Sequence, residues 1–276
     1  SLSELLERSK DNWRQNAVKA TEAWLKKGLE NRPITRNLSW GIPVPVSGFT
    51  DKCMYVWFEA VIGYLSCSRE WASLQGTPEA WRDWWENPDA VHYYVHGKDN
   101  IPFHTIIWPA MLMGLKLHLP DRIISSEFLQ FAGVKLSKSQ GTGIWLPNAL
   151  EKFDADALRF YLTLNGPETK DSNFQWRDFE RRVNGDLIGN LGNFFNRTFS
   201  MTNRYVGHVP EAKVTDPESV ALHMAARKAF DDVGTLIETG EFRQALYGVL
   251  ALSREANGYL ERREPWKKHD MDRAHV

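Results

Sequence analysis

The sequence predicts an α/β fold in two parts, a parallel β-sheet with its connecting helices and then an all-α helical bundle. Strand-like and helix-like runs alternate over the first half of the chain, which is typical of parallel α/β sheets. From Phe179 onward apolar residues recur only at helical spacing. Eleven of the twelve tryptophans precede residue 177, so the composition changes at the same place.

The first part begins with a predicted helix over 2–29, which carries apolar residues at helical spacing and reaches Gly28, a common helix terminator. The run from Cys53 to Ala60 is β-rich and nearly continuously apolar, which predicts a buried strand with both faces covered. Helices are expected over 62–74 and around 81–85.

Two more strands are predicted, one over 91–97 and one in the run "RIISSEFLQFAG", with a helix that begins near Phe103 between them. Parallel α/β sheets bind ligands at the carboxyl ends of their strands. The segments "HGKDN" (96–100) and "KLSKS" (135–139) both fall at such ends. The sequence therefore predicts a ligand site formed by these two segments.

Both segments have an ordinary alternative. Lys135 and Lys138 lie in a Gly-rich and Ser-rich loop that can change shape, and two ammonium groups can neutralise developing phosphate charge. The same residues are also typical of a solvated basic turn. Asp99, which follows Gly97, either accepts from a ribose hydroxyl or begins a helix after a strand.

Aromatic residues are dense enough to line a small apolar pocket, although the core is the commoner environment for any one of them. In the helical part, Asn193 and Arg197 are four residues apart and face the same way. They either read unpaired bases or form an exposed polar pair. Trp266 is either packing or a platform on which a base stacks.

Composition excludes several classes of protein. The formal net charge is -1, so any nucleic acid must bind to a local surface. Two cysteines without a C-x-x-C pair predict no zinc site and a reducing, cytoplasmic location. No apolar run reaches the roughly 18 residues that a membrane span requires. The chain begins without Met and ends without a clear stop signal, so a piece of a longer protein is expected.

Taken together, the motifs resemble the methionyl-tRNA synthetase family of class I aminoacyl-tRNA synthetases. "KLSKS" is similar to the family signature KMSKS, with Leu136 in the methionine's place. The similarity extends in fixed order through "RNLSWGIPVP", "YVWFEAVIGYLS", "HGKDNIPFHTIIWPAML", "LEKFDADALRFYL", "NGPETKDSNFQWRDF" and "GNLGNFFNRT". It covers essentially the whole chain. It implies the C-terminal half of a class I Rossmann-type parallel sheet followed by an all-α anticodon-binding helical bundle.

The resemblance divides the chain into four segments. Residues 1–35 would be the helical end of the connective insertion, and 36–145 the C-terminal half of the Rossmann catalytic domain with the KLSKS loop. Residues 146–178 would link this half to 179–276, a truncated anticodon-binding bundle. The H-I-G-H-type motif and the zinc-bearing insertion of the family are absent. The N-terminal half of the same enzyme is therefore an expected partner, and no metal ligand is expected here.

The resemblance implies a two-step ligase that makes methionyl-adenylate from methionine and ATP, with Mg²⁺, and then transfers the methionyl group to tRNA(Met). The phosphate-binding residues would be Lys135, Ser137, Lys138 and Ser139, and the adenylate would be bound by His96, Gly97, Lys98 and Asp99. The methionine pocket would consist of Trp57, Ala60, Tyr64, Phe103, His104 and Trp108. The CAU anticodon would be recognised by Asn193, Arg197 and Trp266.

Two alternatives stay open. The chain by itself could bind tRNA without catalysis, since the H-I-G-H half is absent, or the enzyme could be a related class I synthetase for another amino acid. Asn37, Val61 and Gln140 stand where the family usually has aspartate, proline and arginine. Val61 would alter the pocket wall, and Gln140 leaves one cation fewer near the phosphates.

Overall fold

The computed structural model describes residues 1–135, 143–209, 211 and 214–268. Two compact units form, Ser1–Glu127 and Phe128–Val276. Ser137, Lys138, Ser139 and Gln140 lie outside the described residues, as does the side chain of Lys135. The finer division into four segments stays a prediction.

The first unit begins with two helices, α1 (Leu2–Ser9) and α2 (Gln15–Lys27). Between them Trp13 is buried and pairs with Ile123, whose carbonyl accepts the N–H of Arg14 at 2.9 Å. The prediction of a single long helix was wrong, because the backbone between the two helices bonds to a distant strand. The helical spacing of apolar residues cannot predict a hydrogen bond to a residue so distant in sequence.

The run from Cys53 to Ala60 is mostly helical. Strand β1 (Thr35–Arg36) pairs antiparallel with β2 (Cys53–Met54), and α3 (Val56–Glu59), a 3₁₀ turn (Ala60–Ile62) and α4 (Gly63–Leu74) follow. Trp57 in α3 is 49% exposed, so the predicted strand with two covered faces was wrong. A short apolar run suits a strand or a helix equally well. The helix expected over 62–74 is confirmed as α4.

A parallel strand pair forms the sheet at the centre of the first unit, as predicted. After α5 (Arg82–Trp85), β3 (Tyr93–Gly97) pairs with β4 (Arg122–Ser126), and a 3₁₀ turn (Lys98–Asn100), a π-helix (Phe103–Ile107) and α6 (Trp108–Leu115) lie between them in sequence. Successive side chains of a strand alternate between its faces. Tyr94 and His96 therefore share one face of β3. Among the described strands, β3 pairs with β4 alone.

The run "RIISSEFLQFAG" is two strands that belong to different sheets, which corrects the prediction of one. The second strand, β5 (Leu129–Phe131), lies in the second unit, antiparallel to β6 (Val134–Lys135) and parallel to β7 (Ser172–Phe174). Ala132 and Gly133 both have positive φ, 48° and 81°, and form the tight two-residue turn between β5 and β6. This turn therefore positions the backbone of Lys135, where the KLSKS segment begins.

Each unit has its own apolar core. In the first unit the buried residues include Leu5, Leu6, Trp13, Ala17, Val18, Trp85, Tyr94, Trp108, Leu112 and Ile123. In the second, α7 (Leu146–Leu150), α8 (Ala155–Leu164) and β7 contribute to a cluster of Ala149, Leu158, Tyr161, Phe174 and Phe179. Buried apolar area of this kind is the main favourable contribution to folding.

The second unit continues as helices, which confirms the helical prediction after Phe179. They are α9 (Trp176–Arg182), a π-helix (Val183–Gly192), α10 (Asn193–Tyr205), α11 (Pro217–Glu238), α12 (Phe242–Arg263) and α13 (Pro265–Lys268). Leu250 of α12 is buried against Leu187 and Leu191. Phe230 of α11 is 81% exposed, so helical spacing of apolar residues did not by itself ensure their burial. No helix in the described ranges is long and apolar enough to cross a membrane.

Candidate functional site

The residues predicted to form the methionine pocket lie on α3, α4, the first π-helix and α6. Trp57 stacks on Phe103 with ring centroids 5.7 Å apart, and the Tyr64 ring lies 5.7 Å from His104 and 6.3 Å from Trp108. Ala60 lies in the 3₁₀ turn between Trp57 and Tyr64. The fold thus brings these residues into two sets of contacting rings, Trp57 with Phe103 and Tyr64 with His104 and Trp108, called together the ring group below.

The π-helix explains how consecutive residues reach different parts of this group. The N–H of Trp108 donates to the carbonyl of Phe103, five residues earlier. The wider turn is a local departure from α-helical geometry of the kind found at many functional sites. It leaves Phe103 partly exposed beside Trp57, while His104 and Trp108 are buried.

The hydrogen bonds of His104 define its protonation. Its Nδ1 lies 2.9 Å from the carbonyl oxygen of Asn100, which can only accept, so Nδ1 carries the proton. Its Nε2 is then an acceptor, and the Tyr64 hydroxyl, 2.8 Å away, donates to it. Burial lowers the pKa of His104 and raises that of Tyr64, so both groups are neutral near pH 7. A neutral, hydrogen-bonded pair in an aromatic group suits an uncharged side chain.

A second buried hydrogen bond holds the other end of the group. The indole N–H of Trp108 donates to the Tyr94 hydroxyl at 2.8 Å. Burial raises the pKa of Tyr94 to about 12. Sequence reasoning treated Tyr94 only as part of a strand. A tyrosine among apolar strand residues is the signal that could have identified it, because a buried Tyr hydroxyl usually needs a partner.

The segment predicted to bind the adenylate begins in β3, with His96 and Gly97, and continues into the 3₁₀ turn that follows. A Cβ built on Gly97 would meet no atom within 4 Å, so the space beside this glycine is open. Asp99 is exposed in the 3₁₀ turn. The ammonium group of Lys98 lies 2.6 Å from a carboxylate oxygen of Glu127, which also accepts from the Asn16 amide at 2.9 Å. Glu127 is a partner that no sequence motif indicated.

His96, the first residue of that segment, lies against one of the predicted pocket rings. Its ring is stacked on His104 with centroids 4.2 Å apart and planes 22° apart. The sequence-based grouping gave no indication of this contact. Alternation of side chains along β3, together with burial of Tyr94 on the same face, is the signal that could have suggested it.

Of the KLSKS segment, the structure describes the backbone of its first residue, Lys135. The backbone of Lys135 pairs with Gln130 of β5. The turn before it is held by the N–H of Gly133, which donates to the Asn173 side chain at 2.9 Å, and by the N–H of Ala132, which donates to Phe174 at 3.1 Å. These two hydrogen bonds hold the turn against β7 and so position the backbone that leads to Lys135.

The predicted anticodon residues are brought together in the second unit. The guanidinium carbon of Arg197 lies 5.1 Å from the centre of the Trp266 ring, and Nη1 lies 2.6 Å from a Glu261 carboxylate oxygen. The Asn193 amide donates to Asn257 at 3.2 Å. The group of Asn193, Arg197 and Trp266 is called the α10 patch below.

Two α12 residues support the α10 patch and were missed by sequence reasoning. Asn257 receives the Asn193 bond and donates to the carbonyls of Asn190 and Ser253 at 3.0 and 3.1 Å. Glu261 pairs with Arg197. The two lie four residues apart, so they share one helix face. The sequence shows that spacing, but it does not show that this face of α12 packs against α10.

A separate concavity of about 570 Å³ in the first unit contains none of the predicted site residues. Its lining includes Trp24, Phe58, Ile107 and Met111. It is therefore distinct in composition from the ring group around His104.

Comparisons with known proteins give concordant results. A family model described as tRNA synthetases class I (M) matches residues 1–199. The methionine–tRNA ligase of Roseiflexus sp. (strain RS-1) is 48% identical over 272 residues, which cover 95% of this chain and 46% of that protein. The methionine–tRNA ligase of Thermobifida fusca (strain YX) is 44% identical over 289 residues, which cover 98% of this chain and 47% of that protein.

A solved structure extends the comparison to three dimensions. Mycobacterium tuberculosis methionyl-tRNA synthetase in complex with methionyl-adenylate matches with a TM-score of 0.84 at 27% identity, over 98% of this chain and 52% of that one. The chain spans about half the length of the curated relatives it matches. The family model, the relatives and the shared fold agree, and the chain belongs to the class I (M) family of tRNA synthetases.

Proposed function

We propose that this chain is part of a methionine–tRNA ligase, which activates methionine with ATP and transfers the methionyl group to tRNA(Met). The observation that carries the proposal is the ring group around the Tyr64–His104 hydrogen bond. It supplies aromatic surfaces and a neutral polar pair next to the open backbone at Gly97. ATP and tRNA substrates fit a cytoplasmic enzyme.

On the amino-acid side, the rings would form the walls for the methionine side chain. A thioether is flexible and polarisable and makes favourable contacts with aromatic edges. Trp57 and Phe103 form one wall, and Tyr64 forms the other with the buried His104 and Trp108. Ala60 is small and leaves room between them.

On the nucleotide side, Gly97 and Asp99 would meet the adenylate ribose, since the glycine leaves space and the exposed carboxylate can accept from hydroxyl groups. Lys98 would contact the adenylate while it stays ion-paired with Glu127, and His96 would complete this part of the site. Lys135 and Lys138, with Ser137 and Ser139, would stabilise charge on the triphosphate and the departing pyrophosphate. These loop roles rest on the family resemblance.

The triphosphate would bring Mg²⁺ with it. In the ranges that the structure covers, no group of three His, Cys, Asp or Glu side chains could hold a metal ion. The donor set here therefore suits an ion held mainly by phosphate oxygens and water, which is how Mg²⁺ is usually bound with nucleotides.

The α10 patch would recognise the CAU anticodon. An amide, a guanidinium and an indole are the groups that hydrogen-bond to and stack on unpaired bases. Because Arg197 is already close to Trp266, the patch is assembled before RNA arrives.

Amino-acid specificity is tested by calorimetric titration of the 276-residue chain with methionine, leucine, isoleucine, valine and cysteine. We expect methionine alone to bind measurably. Trp57→Ala should weaken binding, whereas Trp40→Ala, at an exposed tryptophan outside the ring group, is the matched control. Equal binding of leucine or valine would favour a synthetase of another specificity.

Recognition of tRNA is tested by fluorescence anisotropy of a labelled anticodon stem-loop, with CAU compared against a changed first anticodon base. Salt is held fixed, because phosphate contacts make affinity salt-dependent. We expect a preference for CAU that Arg197→Ala removes. Arg204→Ala removes the same charge from the same helix at a residue outside the patch and should keep the preference. No preference in the folded wild-type chain would contradict the assignment.

The second candidate is a tRNA-binding module without catalysis. The observation that favours it is that no histidine in the 276 residues has another histidine three positions on, so the chain supplies no H-x-G-H segment. We expect no methionine-dependent ATP–pyrophosphate exchange by the chain alone. Exchange well above background that Lys138→Ala abolishes would show that the chain is catalytic by itself.

A further inference from the structure

His96 is a partly buried histidine whose contacts are explained neither by β3 nor by adenylate binding. It lies opposite the buried Ser125 of β4 in the sheet register, on the same face as Tyr94. Its ring is stacked on His104 at 4.2 Å. Both ring nitrogens of His104, a residue of the predicted methionine pocket, have hydrogen-bond partners in the protein.

The tautomer of His96 follows from its own contact. Nδ1 lies 3.0 Å from the carbonyl oxygen of Gly97, which can only accept, so Nδ1 carries the proton. Nε2 is then a lone-pair acceptor. It is buried and has no hydrogen-bond partner among the described residues. The ring is therefore anchored at one nitrogen and makes its main remaining contact through its face.

His104 depends on the orientation of its ring plane. Its two hydrogen bonds, to Asn100 and from Tyr64, leave from opposite sides of the imidazole and both require the ring to lie in one plane. Tyr94 and Tyr64 approach it at 53° and 56° and so contact it with tilted rings. His96, tilted by only 22°, is the ring that lies flat against it.

We propose that His96 is a positioning residue for the methionine pocket: its stacked ring holds His104 in the plane in which Nε2 accepts the Tyr64 hydroxyl. Without that ring, the space beside His104 would let the imidazole tilt and let water compete for Nε2. The importance of His96 for methionine rests on the proposed function, whereas the effect on His104 does not. Burial and the adjacent His104 lower the pKa of His96 to about 4, so both rings are uncharged near neutral pH.

Two substitutions separate the possible roles of His96. His96→Phe keeps a flat ring but removes the Nε2 acceptor and the bond to Gly97. His96→Leu removes the ring as well. His92→Leu, immediately before β3, is the matched control, because the His92 ring contacts Trp85, Tyr94 and His118 but not His104. Urea unfolding first establishes that each variant of the 276-residue chain is folded at the working temperature.

The first readout is the ¹⁵N spectrum of the imidazole rings, which reports tautomer and hydrogen bonding at His104 without any ligand. We expect wild-type, His96→Phe and His92→Leu to keep His104 as the Nδ1–H tautomer with Nε2 hydrogen-bonded. We expect His96→Leu to shift the Nε2 signal toward that of a solvent-exposed imidazole. An unchanged His104 signal in folded His96→Leu overturns the proposal, and so does an equal shift in His96→Phe.

The second readout is the Kd for methionine by calorimetry. His96→Leu should raise it about three- to tenfold, the range that corresponds to weakening one ordinary hydrogen bond. His96→Phe should raise it much less. If the wild-type chain binds no methionine, the proposed function fails while the spectroscopic test of His96 still stands. If methionine binds and His96→Leu shifts the His104 signal without changing Kd, the positioning role in the pocket is refuted.

Discussion

The two candidate sites differ in the physical basis of their geometry. The ring group of the first unit rests on neutral hydrogen bonds, a buried one between Trp108 and Tyr94 and a partly buried one between Tyr64 and His104. The α10 patch rests on an ion pair and a cation–π contact, in which Arg197 is 24% exposed and Glu261 is 63% exposed. The first arrangement is built on His104 and Trp108, which are buried, whereas the charged groups of the second are in contact with water.

This difference predicts how each site responds to change. Buried neutral groups contribute to folding, and their loss leaves cavities or unpaired polar atoms. Exposed charged pairs contribute little to folding and can exchange one partner for another. Substitutions in the ring group should therefore lower stability together with binding, whereas substitutions in the α10 patch should change binding alone.

The largest effect should come from Trp108→Ala. The side chain is 1% exposed and its N–H is bonded, so the substitution leaves a cavity and an unpaired Tyr94 hydroxyl. We expect a loss of about 3–5 kcal/mol in the free energy of unfolding, measured with urea. Trp40→Ala, at 89% exposure, should change it by less than about 0.5 kcal/mol. Equal effects of the two substitutions would show that burial of Trp108 does not contribute to stability as proposed.

Next is Trp266→Ala in the α10 patch. We expect it to weaken binding of the CAU stem-loop by about 1–3 kcal/mol if the ring stacks on a base. The free energy of unfolding should change by less than about 1 kcal/mol, because a cation–π contact near the surface contributes no more than that. Trp145→Ala, at another exposed tryptophan of the second unit, is the control for RNA binding. A large loss of stability with unchanged RNA affinity would make Trp266 a packing residue.

The pH dependence of stability should reveal the partial burial of His96 in the first unit. The pKa of His96 is about 4 in the folded chain against 6.5 when exposed, so the unfolded chain binds more protons between these values. Stability therefore rises with pH across this window and is lost as pH falls. Between pH 7 and 5 we expect the His96 contribution to fall by on the order of 1–2 kcal/mol.

The measurement is urea unfolding at pH 5 and 7 for the wild-type chain and His96→Phe. The variant should lose less stability on acidification than the wild-type chain does. His208→Phe, at an exposed histidine, is the control. Identical pH profiles for wild-type and His96→Phe would mean that the pKa of His96 is not lowered by burial. The difference in burial between the two sites would then be smaller than proposed.

The smallest effect should come from Glu261→Gln. Removing this charge releases Arg197 from its ion pair and removes a negative group that would repel phosphate. We expect the stem-loop to bind a few-fold more tightly, while stability changes by about 0–1 kcal/mol, as for exposed ion pairs. Glu255→Gln removes a charge elsewhere on α12 and is the control. Weaker binding in Glu261→Gln would mean that the ion pair positions Arg197 for RNA.

Much of the architecture was readable from the sequence. Strand β3, the parallel pair with β4, helix α4 and the helical second part are features of local pattern and chain order, and they form as predicted. The rings of the predicted pocket come together because α3, α4 and the crossover between β3 and β4 are fixed by that order. Their role in binding methionine stays a prediction.

Other features depended on contacts between residues distant in sequence. The break at Trp13 exists because the adjacent backbone bonds to β4, and the run after Met54 turns helical where a strand pattern fitted equally well. An apolar run specifies burial but not backbone geometry, since both helices and strands can bury it. Tertiary packing then selects between them.

The sequence by itself determined the family, the order of the main elements and which residue types could form each site. Only the tertiary structure decided which groups touch. The stack of His96 on His104, the pairing of Lys98 with Glu127 and the support of Arg197 by Glu261 join side chains that no motif relates. The physical reason is that motifs record chemistry along the chain, whereas hydrogen bonds and ring contacts depend on distances that exist only after the chain has folded.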